Sequence, residues 1–524
     1  MKSHRFFLPL LLLPLSILLA QRARVPKEAQ IGYQSIKAND LSARLHFIAS
    51  PELEGRETTF RGQKVAARYI ASEFQRLGLK PIGDDGTYFQ HFPVVVTKPS
   101  DQSSITVSNA QGVKTFFFRK DYLAFSAQDT VLSGPVLFIG YMDARPDTEL
   151  VKGKIVLAFA GRAQDAHDPG VPAMRRLQLF RQFSGSIATL IIADDTGSAS
   201  IEGLMTGFAA LLGNGLMQPV GIPARGGFMF QSPSIIDPRV ADQILTETGK
   251  STREMREAAT AEGYQPMLLS KTTVKIESQV SKEMKETENV MGLLEGSDPK
   301  LKGQVVVFSA HYDHLGIRGD GTVYPGADDD GSGTVTVLEL AEAFVTNPVK
   351  PKRSLLFLTV TGEEKGLWGS GYYVAHPAIP LDQTVADLNT DMIGRVDTTY
   401  ERLNNPNYVY VIGSDKISTQ LDSLLRVSDR ETENLILDYK YNSDKDPNQF
   451  YRRSDHYNFA RNGVPIVFFF TGVHKDYHRP TDTVDKILFD RMTKIVRLIY
   501  CTGWNVANFK TKLVKNVEST EYSK

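Results

Sequence analysis

Residue types that bind zinc recur along this 524-residue chain, each just past an apolar run that reads as a buried strand. They are His311 in SAHYDH, Asp329 in GADDDGSG, Glu363 and Glu364 in TVTGEEKG, Asp391 in LNTDMIG and His478 in DYHRPTDT. Two imidazoles, several charged oxygens and one carboxylate able to bridge are what a pair of hydrolytic zinc ions needs, and a spare glutamate can serve as general base. His311 reads as a ligand. Asp313 reads as the carboxylate on its far ring nitrogen, which would fix the tautomer, and His314 reads as a bystander. An EF-hand loop built on Gly331 would put its first and twelfth positions at Gly326 and Val337, which supply no carboxylate. Asp329 is therefore read as the bridging ligand, with Asp330 or Ser332 left to cap the following helix. Side chains at neighbouring positions diverge, so one of Glu363 and Glu364 can bind metal while the other faces the substrate water. Asp391, between apolar residues, requires a partner, and a metal is a good one. His456 in SDHYNF rivals His478 for the last place; the long buried strand ahead of His478 favours it.

The elements that must position these residues begin near Asn289. Apolar runs VVVFSA (305–310), SLLFLTVTG (354–362), VADLN (385–389) and VPIVFFFTG (464–472) alternate with helical patterns, the clearest from Thr334 to Phe344. Strands buried on both faces imply an α/β fold with a mostly parallel-centred mixed sheet flanked by helices. Ligands bind at the carboxyl ends of such strands, where all the candidates fall. Earlier, Asn39 to Leu79 has helical periodicity, broken by the polar turn segment SPELEGRETTFRG and stopped by Gly78 and Pro81. Between about 100 and 280, runs such as GPVLFIGY, GKIVLAFAG and ATLIIADD predict a β-rich insert with a helix around Met174 to Phe183. Its glycine-rich pieces GNG and ARGGFMF lack the context of a phosphate loop. The expected divisions are a leader (1–20), an N-terminal part of the main domain (28–110), the insert (111–280), the catalytic domain (281–510) and a polar tail (511–524).

Composition narrows the class. Lys+Arg and Asp+Glu number 60 each, with no basic block, so no nucleic-acid partner is expected. Lys2, His4 and Arg5 precede a short apolar run, Phe6 to Ala20, which reads as an export signal cleaved after Ala20. A secreted or periplasmic protein without stable membrane insertion follows. Cys501 is the single cysteine, which excludes an intrachain disulfide. Oligomeric state is left open.

HYDH, GADDDGSG, TGEEKGLWGS, NTDMIG, SDH and YHRPTDT, in that order, resemble the co-catalytic two-zinc aminopeptidase family. That family includes leucyl aminopeptidases and aminopeptidase Y and is related to glutamate carboxypeptidase and glutaminyl cyclase. The resemblance covers roughly 40–95 and 285–505, and the insert resembles a protease-associated domain. It implies the zinc-peptidase fold with two Zn²⁺ ions, the first on His311 and Asp391, the second on Glu364 and His478, with Asp329 bridging. It also makes Glu363 the general base, Asp313 the support of His311, and Tyr477 a stabiliser of the oxyanion. IRGDGTVYPG looks like a local insertion. Peptide substrates losing N-terminal residues are implied, and four carboxylates around two cations favour a free α-amino group. Three alternatives share the scaffold. A glutaminyl cyclase is typically a one-zinc site, against which His311 argues. A carboxypeptidase or dipeptidase would need a cationic pocket, for which Arg395, Arg452 and Arg453 lie near motif segments. A non-catalytic binding protein should have lost ligands, and none is missing.

Overall fold

The computed structural model describes residues 25–124, 126, 128–165, 183–222 and 233–517. The leader expected at 1–20, and the helix expected from Met174 apart from Phe183, lie outside them. Ten strands form a mixed sheet. In chain order they are β1 (Lys80–Pro81), β2 (Phe89–Pro99), β3 (Leu216–Pro219), β4 (Val280–Leu294), β5 (Val305–His311), β6 (Ser354–Val360), β7 (Thr384–Thr390), β8 (Tyr408–Ile412), β9 (Ile436–Asp438) and β10 (Ile466–Phe470). Their spatial order is β9-β8-β10-β7-β5-β6-β4-β2-β3, with β1 paired to β4. The four central strands β10, β7, β5 and β6 are mutually parallel. The strands flanking them, β8 and β4, run antiparallel to their inner neighbours.

Every residue of β5, β6, β7 and β10 is buried, as expected when helices cover both faces of a sheet. Successive side chains alternate between two cores. Val306, Phe308 and Ala310 enter one; Val305 and Val307 enter the other. The first core is closed by α1 (Ala38–Ile48), α2 (Arg61–Arg76), α3 (Gly333–Thr346) and α5 (Phe489–Asn508), and α4 (Trp368–Ala375) contributes Tyr373 to the second.

Two sequence expectations change in detail. The helical pattern from Asn39 to Leu79 forms two helices, α1 and α2, divided at the polar segment as expected, but Arg56 and Thr58 within that segment are fully buried. A second sheet of eight strands spans the β-rich region. It begins at Ser104–Asn109, ahead of the boundary expected at 111, and it has its own core. One strand of that region, β3, instead pairs with β2 in the main sheet.

Candidate metal centre

Four adjacent parallel strands deliver their carboxyl ends to one place. His311 is the last residue of β5, Glu363 and Glu364 follow β6, Asp391 follows β7, and His478 lies in the loop after β10. Asp329 arrives from the loop before α3. Met392 and His478 have φ values of 55° and 56°, a left-handed conformation that costs non-glycine residues about 1–3 kcal/mol and persists only where surroundings enforce it. At Met392 the surroundings are identifiable: its amide donates to Asp330 Oδ1 (3.2 Å) and its carbonyl accepts from the amide and hydroxyl of Thr471 (3.0 and 2.9 Å).

The donor atoms fall into two sets that share one carboxylate. His311 Nε2 lies 3.4 Å from Asp329 Oδ1 and 3.7 Å from Asp391 Oδ2. On the other side, His478 Nε2 lies 3.0 Å from Asp329 Oδ2 and 3.1 Å from Glu364 Oε2. His311 Nε2 and Asp329 Oδ2 are buried without a hydrogen-bond partner among the described residues. Buried polar atoms are rarely left in that state, and a divalent cation is the partner this donor chemistry fits. Asp330 also comes within 4.8 Å of His311 and Asp391. Its two oxygens, however, accept three main-chain amides, those of His311 (3.2 Å), Gly333 (2.8 Å) and Met392 (3.2 Å), so it ties loops together and caps α3.

The support beneath these donors is a set of buried polar contacts. His311 Nδ1 is 3.2 Å from the carbonyl oxygen of Asp313, which can only accept, so the proton sits on Nδ1 and the Nε2 lone pair faces the carboxylates. The Asp313 carboxylate is farther from that nitrogen, at 3.8 Å, and accepts instead from Thr58 Oγ1 (2.9 Å) and the amide of Glu363 (3.2 Å). It therefore fixes the glutamate turn as much as the histidine. Asp482 accepts the amides of Asp328 (3.0 Å) and Asp329 (3.2 Å), while Asp328 holds the Gly394 amide (2.6 Å) and faces His474 (3.2 Å).

Arg56 completes the frame. Its buried guanidinium donates to the carbonyls of Tyr312 (2.8 Å), Ile48 (2.6 Å), Pro325 (2.6 Å) and Gly326 (2.9 Å), stapling the loop after His311 to the loop before Asp329.

The glutamate neighbours differ in proton affinity. Burial pushes Glu363 well above the ordinary carboxylate range. Burial acts the same way on Glu364, but contacts with His314 and His478 outweigh it and hold that carboxyl at about 2. Opposed environments of this kind separate a proton carrier from a permanently anionic ligand.

His456 takes no part in either set. Its Nε2 is 2.9 Å from the Tyr451 carbonyl and its ring stacks on Phe468 at 4.6 Å. The reading of His314 as a bystander is corrected: it is fully buried, with Nδ1 2.7 Å from Glu364 Oε1. Sequence reasoning also missed Arg56, Thr58 and Asp482. The only signal for Asp482 is its place in YHRPTDT; Arg56 and Thr58 carry none, since both act through tertiary contacts. An open pocket fronts the donors, lined by Asp329, Glu363, Asp391 and His478 together with Met392, Phe468 and Phe470. Tyr477 lines it too, its ring stacked on His478 at 3.8 Å and its hydroxyl 3.4 Å from Arg453 Nη2.

The family model of Peptidase family M28 matches residues 289–502, the stretch that carries every donor described above. A probable leucine aminopeptidase 2 of Aspergillus oryzae is 34% identical over 193 residues, 36% of this chain and 34% of that protein. Leucine aminopeptidase 1 of Arthroderma otae is 28% identical over 226 residues, 41% of this chain and 56% of that protein. The chain thus spans between about a third and just over half of the length of these curated relatives. Among solved structures, the aminopeptidase from Aneurinibacillus sp. strain AM-1 superposes with a TM-score of 0.52 at 18% identity, covering 94% of this chain and 98% of that one. That likeness establishes the fold: an α/β mixed sheet flanked by helices.

Proposed function

Residues 289–502 match Peptidase family M28, and from that premise we propose that the protein is an exported two-zinc metallopeptidase that releases N-terminal amino acids from peptides. The observation that carries this reading is the convergence of His311, Asp329, Glu364, Asp391 and His478 on two adjacent sets of donor atoms, with Glu363 beside them. His311 and Asp391 would hold one ion, Glu364 and His478 the other, and Asp329 would be shared between them. Bound there, zinc would supply Lewis-acid activation of a water and of the scissile carbonyl. Glu363 accepts the proton of that water and delivers it to the leaving amine, while Asp313 holds the Glu363 amide and so the position of that glutamate. Burial keeps the Tyr477 phenol protonated, which suits it to donate to the developing oxyanion.

The apolar wall of Met392, Phe468 and Phe470 suits an apolar N-terminal side chain, and the named leucine aminopeptidases among the relatives agree with that. A carboxypeptidase of acidic residues would draw on cations instead. Arg395 is engaged by Asp476 at 3.0 Å, and Arg453 leans over the Phe450 ring at 5.0 Å beside Tyr477.

Export rests on the leader at 1–20, and no helix among the described residues is long and apolar enough to cross a membrane. We assign 28–103 and 281–510 to the peptidase domain, 104–280 to a protease-associated-like insert that borders the cleft, and 511–524 to a tail. The insert's place at the cleft is supported by Asn214, whose Nδ2 donates to Glu57 (3.5 Å), itself paired with Lys365 next to the glutamate pair (2.8 Å).

The test compares leucyl-anilide with its N-acetyl form and with an N-acylated acidic dipeptide. Leucyl-anilide alone should be cleaved, activity should vanish on chelation and return with zinc, and metal analysis should give about two zinc ions per chain. Preference for the acidic dipeptide would overturn the aminopeptidase polarity; full activity in metal-free protein would overturn the metallopeptidase.

A further inference from the structure

We propose that His314 is a positioning residue for the glutamate of the second ion: it clamps one oxygen of Glu364 so that the other faces the metal. The inference rests on the two-zinc reading above and adds a residue to it. The two oxygens of Glu364 are each met by a different imidazole. His314 Nδ1 stands 2.7 Å from Oε1, and His478 Nε2 stands 3.1 Å from Oε2. A carboxylate on a glutamate stem turns readily and can offer a cation either oxygen or both. With Oε1 held by His314, Oε2 is presented beside Asp329 Oδ2, which is itself 3.0 Å from His478 Nε2. His314 Nδ1 is 3.8 Å from that Asp329 oxygen, so its close contact is with the glutamate. Partners of this kind behind a ligating carboxylate set its orientation and basicity.

The ring is built into place. It is fully buried, and its Nε2 has no hydrogen-bond partner among the described residues. It lies against Gly326, whose φ is +58°; a Cβ there would come within 2.5 Å of His314 Cγ and Cδ2, so only glycine admits the ring. Arg56 holds both sides of this seat: its Nη2 donates to the Gly326 carbonyl (2.9 Å), and its own carbonyl accepts the His314 amide (3.3 Å). A histidine retained only as filler would not need a glycine carved out beneath it and a carboxylate oxygen in front of it.

The experiment measures both zinc affinities of the full chain by competition with a chromophoric chelator, for wild type, His314→Ala and His314→Gln, with far-UV circular dichroism confirming the fold. In His314→Ala one of the two dissociation constants should rise roughly 10–100-fold while the other stays unchanged. His314→Gln keeps a side-chain N–H donor for Oε1 and should recover most of that loss. Two unchanged affinities in His314→Ala would overturn the proposal, and so would a glutamine variant no better than alanine, which would make the imidazole a direct metal donor or simple filling. A wild type that binds no pair of ions would instead sink the two-zinc reading on which the inference stands.

Discussion

Glu363 and Glu364 share a turn and a depth of burial and differ in what stands beside them. Glu364 has an imidazole at each oxygen, whereas Glu363 has its amide held by Asp313 and its carboxyl facing the pocket. Glu363→Gln should therefore lower turnover by about 10²–10⁴-fold, the range of a lost general base, with zinc content retained. Glu364→Gln should lower zinc occupancy, as measured by metal analysis after gel filtration; exchanged phenotypes would reverse the assignment. Most of the donors were legible because they follow an apolar run, where a charged residue needs a reason, while Asp329, in the loop before α3, stood out in GADDDGSG. His314 and Arg56 were not, because their reasons are a glutamate oxygen and four carbonyls, three of them far away in the chain. Arg56, whose pKa burial lowers to about 10, remains cationic at neutral pH and has no carboxylate in direct contact among its hydrogen bonds. Arg56→Met would keep much of its volume and strand those carbonyls, each buried unpaired group costing about 1–3 kcal/mol. Urea denaturation should show a loss of about 3 kcal/mol or more; an unchanged midpoint would mean the carbonyls find other partners.

At the scale of elements, the parallel strands were readable and their order was not. β5, β6, β7 and β10 are apolar on both faces, which the composition of each run reveals, but the placement of β6 and β7 on opposite sides of β5 depends on pairing between distant segments. The long strand β4 escaped notice because its first half, from Val280 to Glu286, is polar and exposed. Helix α3 runs Gly333–Thr346 against the expected Thr334–Phe344, and the amide of its first residue, Gly333, donates to Asp330 Oδ1. Helix α3 carries the Asp329 loop, and it is pinned to α1 by Arg44, which pairs with Glu339 and Glu342 while Arg76 of α2 reaches Glu342 (2.9 Å). Side chains of Arg44 and Glu339 are 8% and 3% exposed, so removing one leaves the other charged and buried. Arg44→Ala should cost about 3–5 kcal/mol in equilibrium unfolding, and Glu339→Leu on that background should recover part of it, because the uncompensated charge is then gone. Additive losses in the double variant would show that packing, not the charge pair, carries the effect.

The whole molecule has separate cores on its two sheets. Ile105, Phe138, Leu157 and Ile191 belong to one that contains no residue of the metal centre, and Phe308, Leu355 and Leu388 belong to the main sheet whose strand ends carry it. Between them run the paired strands β2 and β4, and β3 crosses from the insert to the main sheet. Zinc bound at the native site, as proposed, would stabilise by mass action whatever unit unfolds with that site, by ~2.7 kcal/mol when free zinc is 100 times its dissociation constant. If the sheets unfold as separate units, calorimetry of the metal-free protein should give two transitions, and added zinc should raise one by several degrees while the other stays in place. The connecting strands argue the other way, since breaking β3 from β2 exposes the edge of the main sheet. Their contribution is small beside two cores that share no buried side chain, so independent transitions are the expected result. A single transition that moves as a whole with zinc would show that the paired strands transmit the stabilisation, and would make the insert part of the catalytic unit's stability, not only a border of its cleft.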